Sequence, residues 1–387
     1  MNTKYEKRGV SADKSEVHQA IQNLDKGIFP NAFCKILPDL VANDALYCNV
    51  MHADTAGTKT SLAYIYWKET GDNSVWKGII QDAIVMNLDD MACAGITNDI
   101  ILSSTIGRNK NLIPGDVLSF LIEGTQDFIQ KMQNHGVSIV LSGGETADVG
   151  DIVRTLDVGF TAFARLPRKD IIDIQIHPGD VIIGFASYGK SVYEDAYNGG
   201  MGSNGLTSAR HDVFAHEYYS KYPESFDPAT DESLVYAGNI KLTDIEPETG
   251  LTYGKLVLSP TRTYLPLIQQ ILRQHRSDIH GIIHCTGGAQ TKVMKFVSGL
   301  HVIKDQLLPI PPLFKTIMQQ SGTAPEELYK VFNMGHRLEV YTSENMAASI
   351  IEIARNLGIE AQIIGRCEAS NSNKLTISSE LGTFVYQ

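Results

Sequence analysis

The stretch DVLSFLIEGTQDFIQKMQNHGVSIVLSGGET, residues 116–146, is the most informative about fold class. Over residues 116–133 the apolar side chains of Val117, Leu118, Leu121, Ile122, Phe128 and Ile129 recur on one face, which predicts an amphipathic helix. The mostly apolar run Val137–Leu141 then predicts a strand, and Ser142-Gly143-Gly144-Glu145-Thr146 a tight glycine turn at its end. A helix feeding a strand that ends in a glycine-rich segment is the repeating unit of mixed α and β layers.

The same grammar extends outward from this stretch. Val181–Ala186 and Ile279–Cys285 read as buried strands, each followed within a few residues by glycine, and ligands often bind at such ends in α/β proteins. Ile350, Ile353, Ala354 and Leu357 keep helical spacing, Gly358 sits where a left-handed cap is wanted, and the alternating strand Ile359, Ala361, Ile363 follows. Turn chemistry at Leu166-Pro167-Arg168 and His177-Pro178-Gly179-Asp180 divides the chain into an expected N-terminal domain, 1–170, and a C-terminal α/β domain, 171–387. Residues 188–253, rich in Tyr, Gly, Asp and Glu and poor in long apolar runs, predict an extended surface excursion.

Bulk properties narrow the function. A chain of 387 residues with 43% hydrophobic residues can bury a substantial core and has the length for two domains or three, and a net charge of −11 argues against nucleic acid or an anionic membrane as main partner, since both need a cationic field. Five scattered cysteines with no C-x-x-C pair, no signal-type apolar core near the N-terminus and no membrane-length apolar run predict reduced thiols and a cytoplasmic location.

Three segments of the first half could carry chemistry. Asp54-Thr55-Ala56-Gly57-Thr58-Lys59 joins a carboxylate, a glycine that admits a ligand to the backbone and a lysine suited to phosphate. Asp89 and Asp90 follow Asp82 by about two helical turns, which predicts that all three project from nearly the same face. Ser142–Thr146 has Asp148, Asp151 and Asp157 close behind it, and hard oxygen donors from separate loops suit Mg²⁺ bound to a nucleotide. Neither a G-x-x-x-x-G-K-[ST] loop nor a G-x-G-x-x-G fingerprint is present. Taken singly, each segment is as compatible with ordinary turns, caps and solvated charge.

Order and number change that reading. Asp54–Lys59 resembles a D-G-V-G-T-K loop, Gly143–Ala147 reads G-G-E-T-A, Ser203–Gly205 reads S-N-G, and Pro260-Thr261-Arg262 with Tyr264 reads P-T-R-x-Y. Thr286–Gly288 supplies T-G-G and Phe332–Gly335 F-N-x-G. These six motifs, in this order, resemble the phosphoribosylformylglycinamidine cyclo-ligase (aminoimidazole ribonucleotide synthetase) family. The resemblance implies a two-domain α/β subunit that pairs its N-terminal sheet into a barrel across a homodimer. It also implies use of ATP and Mg²⁺ to close the imidazole ring of a phosphorylated ribonucleotide. Carried over residue by residue, it assigns Asp54, Asp90 and Asp82 to the metal, and Gly57, Thr58, Lys59, Gly143, Gly144, Glu145 and Thr146 to the nucleotide. Asp54, Lys59 and Asp90 are its catalytic candidates, and Ser203, Asn204, Arg262, Gly287 and Gly288 its substrate-side groups.

Several positions depart from the family pattern. Thr55-Ala56 replaces Gly-Val, Asp89 stands where asparagine is usual, Gly202 replaces the histidine before S-N-G, and His336-Arg337 replaces part of a glycine-rich stretch. Loss of the histidine leaves His211, His284 and His336 as substitutes for acid/base work. The rivals are another ATP user of the same superfamily, such as a selenophosphate synthetase, a thiamine-phosphate kinase or a hydrogenase-maturation dehydratase, and a catalytically silent nucleotide-binding homologue.

Overall fold

The structure, a computed structural model, describes residues 4–11 and 15–387, so the N-terminal stretch read above for a signal peptide lies partly outside the described residues. Two mixed sheets organise a two-domain α/β chain. The first holds β1 (Ile36–Pro38), β2 (Tyr47–Thr55), β3 (Ile100–Arg108), β4 (Ile139–Asp148) and β5 (Leu156–Pro167) in the order β1-β2-β5-β3-β4. Only β3 and β4 run parallel. The second holds β6 (Val181–Ala186), β7 (Ile279–His284), β8 (Leu300–Lys304), β9 (His336–Thr342), β10 (Ala361–Ala369), β11 (Lys374–Ser379) and β12 (Gly382–Tyr386) in the order β12-β11-β8-β10-β6-β9-β7.

The amphipathic pattern at 116–133 forms the helix Gly115–Asn134, which buries Val117, Leu121, Phe128 and Ile129. The helix Ser74–Cys93 packs on β2 and β5 and is buried nearly all round, lying between the first sheet and the second domain. The opposite face of the first sheet is open. Met51, Phe163, Ile101 and Val140 lie in one cross-strand row on that face, and Met51, Ile101 and Val140 are exposed.

Two expectations are corrected by the fold. Ser142–Thr146 is not a turn, because β4 continues through it to Asp148. Leu102 pairs with Leu141 and Ser104 with Gly144, so β4 carries one extra residue there, a bulge with Gly143 at φ +112°. Gly144 serves close approach: a Cβ there would lie 2.1 Å from Ser104 Oγ and 2.3 Å from its carbonyl oxygen. The 188–253 region is no surface excursion either. Tyr193, Phe214, Tyr218, Tyr222, Phe226 and Tyr236 are buried, and the rings of Tyr218, Tyr222, Phe226 and Tyr236 touch one another. Their hydroxyls are paired, as in Tyr193 to the Thr263 carbonyl at 2.7 Å and Tyr236 to Ser225 Oγ at 2.7 Å. Tyrosine buries a ring while keeping a polar tip satisfied, so scarcity of aliphatic runs does not mark exposure.

Candidate active site

The helix Ser74–Cys93 divides its three aspartates between two tasks. Asp82 and Asp89 are seven residues apart, which returns the helix to within about 20° of the same direction, and both face the 259–264 turn of the second domain. Asp82 Oδ1 accepts from the Thr261 amide (2.7 Å) and hydroxyl (2.5 Å), and Asp89 accepts from Thr263 Oγ1 (2.7 Å) and the Tyr264 amide (3.0 Å). Asp90 is rotated about 100° further and faces a different space.

Lys59 also belongs to the interior. Its ammonium lies 2.8 Å from Asp82 Oδ1 and 2.6 Å from the Ser259 carbonyl oxygen, and both side chains are 0% exposed. Burial pulls the Lys59 ammonium down and the Asp82 carboxyl up from their ordinary values, with their mutual attraction opposing both shifts. The expectations of a phosphate contact for Lys59 and a metal contact for Asp82 do not match this placement, since the two groups serve each other and the 259–261 turn. Arg262 is likewise turned inward. It forks onto Glu194 (Nε to Oε1 3.1 Å, Nη2 to Oε2 2.5 Å) and donates Nη1 to the carbonyls of Ala186 (2.9 Å) and Tyr188 (2.6 Å). It therefore braces the start of the 188–253 region rather than facing substrate.

What converges instead is a cavity of about 490 Å³ lined by His52, Asp54, Thr55, Gly57, Asp90, Ser203, Asn204, Thr286, Gly287, Lys292 and Lys295. Gly57, Ser203, Asn204 and Gly287 also border an adjoining hollow of about 800 Å³, with Thr58, Gly288 and part of the N-terminal segment around Tyr5 and Gly9. Thr58 Oγ1 and Thr207 Oγ1, 2.8 Å apart, tie the 54–59 loop to the Ser203–Gly205 turn. Thus Asp54, Gly57, Thr58, Asp90, Ser203, Asn204, Gly287 and Gly288 are gathered. Gly143, Gly144, Glu145 and Thr146 are not: Asp54, Phe160, Ser104 and Gly144 form one row across the sheet, and three strand spacings put Gly144 about 14 Å from Asp54.

The cavity floor is an imidazole–carboxylate chain. Asp90 Oδ1 lies 2.6 Å from His284 Nδ1, and Arg337 Nε donates to His284 Nε2 at 3.2 Å. A guanidinium can only donate, so Nε2 accepts and Nδ1 carries the hydrogen given to Asp90. Burial would push the Asp90 carboxyl up, but the hydrogen bond from His284, helped by the positive charge of Lys292, brings it below its ordinary value. Lys292 reaches this charge balance from the short helix that begins after Gly288.

His52, on β2 two residues before Asp54, completes the chain. Asn87 Nδ2 donates to the Ala83 carbonyl at 3.0 Å, which turns Asn87 Oδ1 toward His52 Nδ1, also at 3.0 Å. His52 Nδ1 therefore carries hydrogen, and Nε2 lies 3.6 Å from Asp90 Oδ2. Nε2 is then the ring nitrogen with a lone pair to offer, and it faces that carboxylate. Of the three histidines considered as substitutes, only His284 is at the site. His211 packs on Tyr236, and His336 bonds Glu339 Oε1 at 3.0 Å. His52, Lys292 and Lys295 were missed; the i, i+2 spacing of His52 and Asp54 on a strand was the available signal.

The two departures at Gly202 and Arg337 belong together. Gly202 has φ +69°, and a Cβ there would sit 3.0 Å from Arg337 Nη1, so the guanidinium lies where a side chain at 202 would begin. Arg337 Nη1 and Ser203 Oγ are buried and have no hydrogen-bond partner among the described residues. Unpaired buried donors are costly unless a ligand satisfies them. Ser203 lines the cavity, and with the Asp54 and Asp90 carboxylates, Lys292 and Lys295 it forms a set of groups that fits a magnesium-bound polyphosphate.

Comparison with known proteins agrees with this architecture. Residues 40–166 match the family model "AIR synthase related protein, N-terminal domain" and residues 177–378 "AIR synthase related protein, C-terminal domain". A phosphoribosylformylglycinamidine cyclo-ligase of Methanococcus vannielii is 28% identical over 83% of this chain and 78% of its own length. The structure described as "T. maritima PurL complexed with FGAR" superposes with TM-score 0.54 at 16% identity over 96% of this chain, which spans about half (49%) of that protein. A chain of a "HypE-HypF complex" superposes with TM-score 0.55 at 13% identity, covering 96% of this chain and 99% of that one. At those identities the structural likenesses speak to fold alone. The chain belongs to the AIR synthase related protein family, whose members are ATP-using enzymes.

Proposed function

We propose that the chain is a phosphoribosylformylglycinamidine cyclo-ligase, which uses ATP to close the imidazole ring of formylglycinamidine ribonucleotide and releases ADP and phosphate. The observation that carries this reading is the His52–Asp90–His284 chain at the base of a cavity walled by Asp54, Ser203-Asn204, Gly287 and Lys292. The ring closure needs a charged phosphoryl donor held beside a group that manages a proton, and the cavity offers both. Curated relatives that carry the cyclo-ligase name over most of their length support it.

Asp54 and Asp90 would hold Mg²⁺, which neutralises phosphate charge when bound. The residues of the chain do the rest. Lys292, Lys295, Ser203 and the Gly287-Gly288 turn bind the anionic groups, and the buried Arg337 holds His284 in the form that donates to Asp90. Since both nitrogens of His284 are engaged, the proton released at the attacking nitrogen goes to His52 Nε2, whose charged form faces Asp90.

Residues 1–170 take the nucleotide-binding and dimerising role and 171–387 most of the substrate side. A homodimer is supported by the exposed row Met51, Ile101 and Val140 on the open face of the first sheet, which suits sheet-to-sheet pairing. In it, Gly143–Thr146 of one subunit would reach a nucleotide at the subunit boundary.

The test is ADP release from Mg-ATP with and without formylglycinamidine ribonucleotide, while the aminoimidazole product is followed. Substrate-dependent ADP release with equimolar product is expected. ATP hydrolysis indifferent to that substrate would overturn the cyclo-ligase reading in favour of another ATP user of the family.

A further inference from the structure

At the end of the second sheet remote from the cavity, three metal-ligating side chains meet. His177 and Asp180 lie in the segment between β5 and β6, and His280 is the second residue of β7. Val181 and Ile279 each pair with Thr342 from opposite sides of β9, which brings the start of β6 and the start of β7 to the same end of the sheet. His280 Nδ1 is 2.7 Å from Asp180 Oδ1, and His177 Nδ1 is 3.9 Å from Asp180 Oδ2. One donor atom from each of the three lies within 4.8 Å of the others, the one such group among the described residues. The two imidazoles meet edge to face, with ring centres 4.9 Å apart.

The backbone around them is pinned. Asp180 is 3% exposed; its Oδ2 accepts from the His177 amide at 2.8 Å, and its carbonyl accepts from the Cys367 amide at 2.8 Å. Gly179 donates to the Cys367 carbonyl (2.8 Å) and Gln175 to the His280 carbonyl (2.7 Å). A turn tied on one side to β10 and on the other to β7 thus presents a buried carboxylate between two histidines.

The donor types choose the ion. Two imidazoles and one carboxylate suit zinc and its neighbours, whereas Mg²⁺ and Ca²⁺ want several hard oxygens. Bonds of about 2.0–2.1 Å in a tetrahedral site place ligand atoms about 3.3 Å apart. His177, more than half exposed, can close that gap by a change of rotamer. Three protein ligands leave a fourth position open, beside a hollow that His177 and His280 share with Lys169, Arg273 and Arg276. Those cations weigh further against a hard ion held by charge alone.

We propose that His177, Asp180 and His280 bind a zinc-class divalent ion that ties the interdomain segment to the edge strand of the second sheet. The site is independent of the cavity: His284 is four residues further along β7, about 13 Å away.

The full chain, stripped with chelator, would be titrated with Zn²⁺ by calorimetry and with Co²⁺ by visible absorption. One equivalent per chain, with four-coordinate Co²⁺ bands, is expected. His177→Ala, at an exposed position that tolerates change, and His280→Ala should each weaken Zn²⁺ binding by at least about tenfold, while His52→Ala leaves it unchanged. Absence of Zn²⁺ uptake by the wild type, undiminished uptake by the His177→Ala/His280→Ala double variant, or loss of uptake in His52→Ala would each overturn the proposal.

Discussion

Lys59→Met separates a structural lysine from a phosphate-binding one. Methionine keeps most of the stem but deletes the ammonium, so the fully buried Asp82 carboxylate retains only the Thr261 donors, its Oδ2 already lacks a partner, and the Ser259 carbonyl loses a 2.6 Å hydrogen bond. Breaking one side of a buried ion pair costs about 3–5 kcal/mol because a charge is left without compensation. Both partners are 0% exposed, so solvent screening does not reduce the figure. For a domain of this size each kcal/mol lowers the melting temperature by about 2–4 °C, which gives a fall of roughly 6–20 °C in the transition that includes the first domain. The double variant Lys59→Met/Asp82→Leu removes both charges and should recover part of the loss. Scanning calorimetry reads the stability, and ATP turnover measured well below both transitions should stay close to wild type for Lys59→Met. An unshifted melting curve combined with abolished turnover would refute the reasoning and put Lys59 on a phosphate.

Four further outcomes are expected. Asp90→Asn should lower ATP turnover by more than about tenfold in a folded protein; unchanged turnover removes Asp90 from the site. His52→Gln should lower turnover about a hundredfold in a folded protein; a full rate means another group takes the proton. Gly144→Ala should destabilise by at least about 1–3 kcal/mol in denaturant unfolding, because the new methyl meets Ser104 backbone as well as its hydroxyl, and a neutral result would rule out the close approach at the bulge. Glu339 is raised by burial but lowered further by Lys304 and His336, to about 2 from an ordinary 4.5. A depressed carboxyl contributes stability above about pH 4.5 that is lost as pH falls toward about 2. Glu339→Gln should therefore be less stable at neutral pH and converge with wild type across that window, and parallel curves would contradict the shift.

The departures at Gly202 and Arg337 show how a pattern can change in pairs. Read along the chain, Gly202 looks like the loss of an acid/base group and Arg337 like an unrelated substitution. In space, the missing side chain leaves room that the guanidinium occupies, and Arg337 sets the hydrogen of the neighbouring His284.

Much was determined by sequence alone, because local periodicity and turn chemistry suffice for it. The helix Gly115–Asn134, the strands Val181–Ala186 and Ile279–His284, the Gly358 cap at φ +71° and the loops around Asp54, Ser203 and Gly287 could all be read from spacing or from motif order. Tertiary structure decided which charges are catalytic candidates and which are girders. Asp82 and Asp89 share a helix face, and Asp90, the next residue, points about 100° away, which sends two to the 259–264 turn and one to the cavity. The partners that settle each role are remote: Asp82 is 23 residues from Lys59, Glu194 is 68 from Arg262, and His284 is 194 from Asp90. Desolvation makes a charge depend on whatever meets it after the chain has folded, and periodicity reports which residues share a face but not what that face will touch.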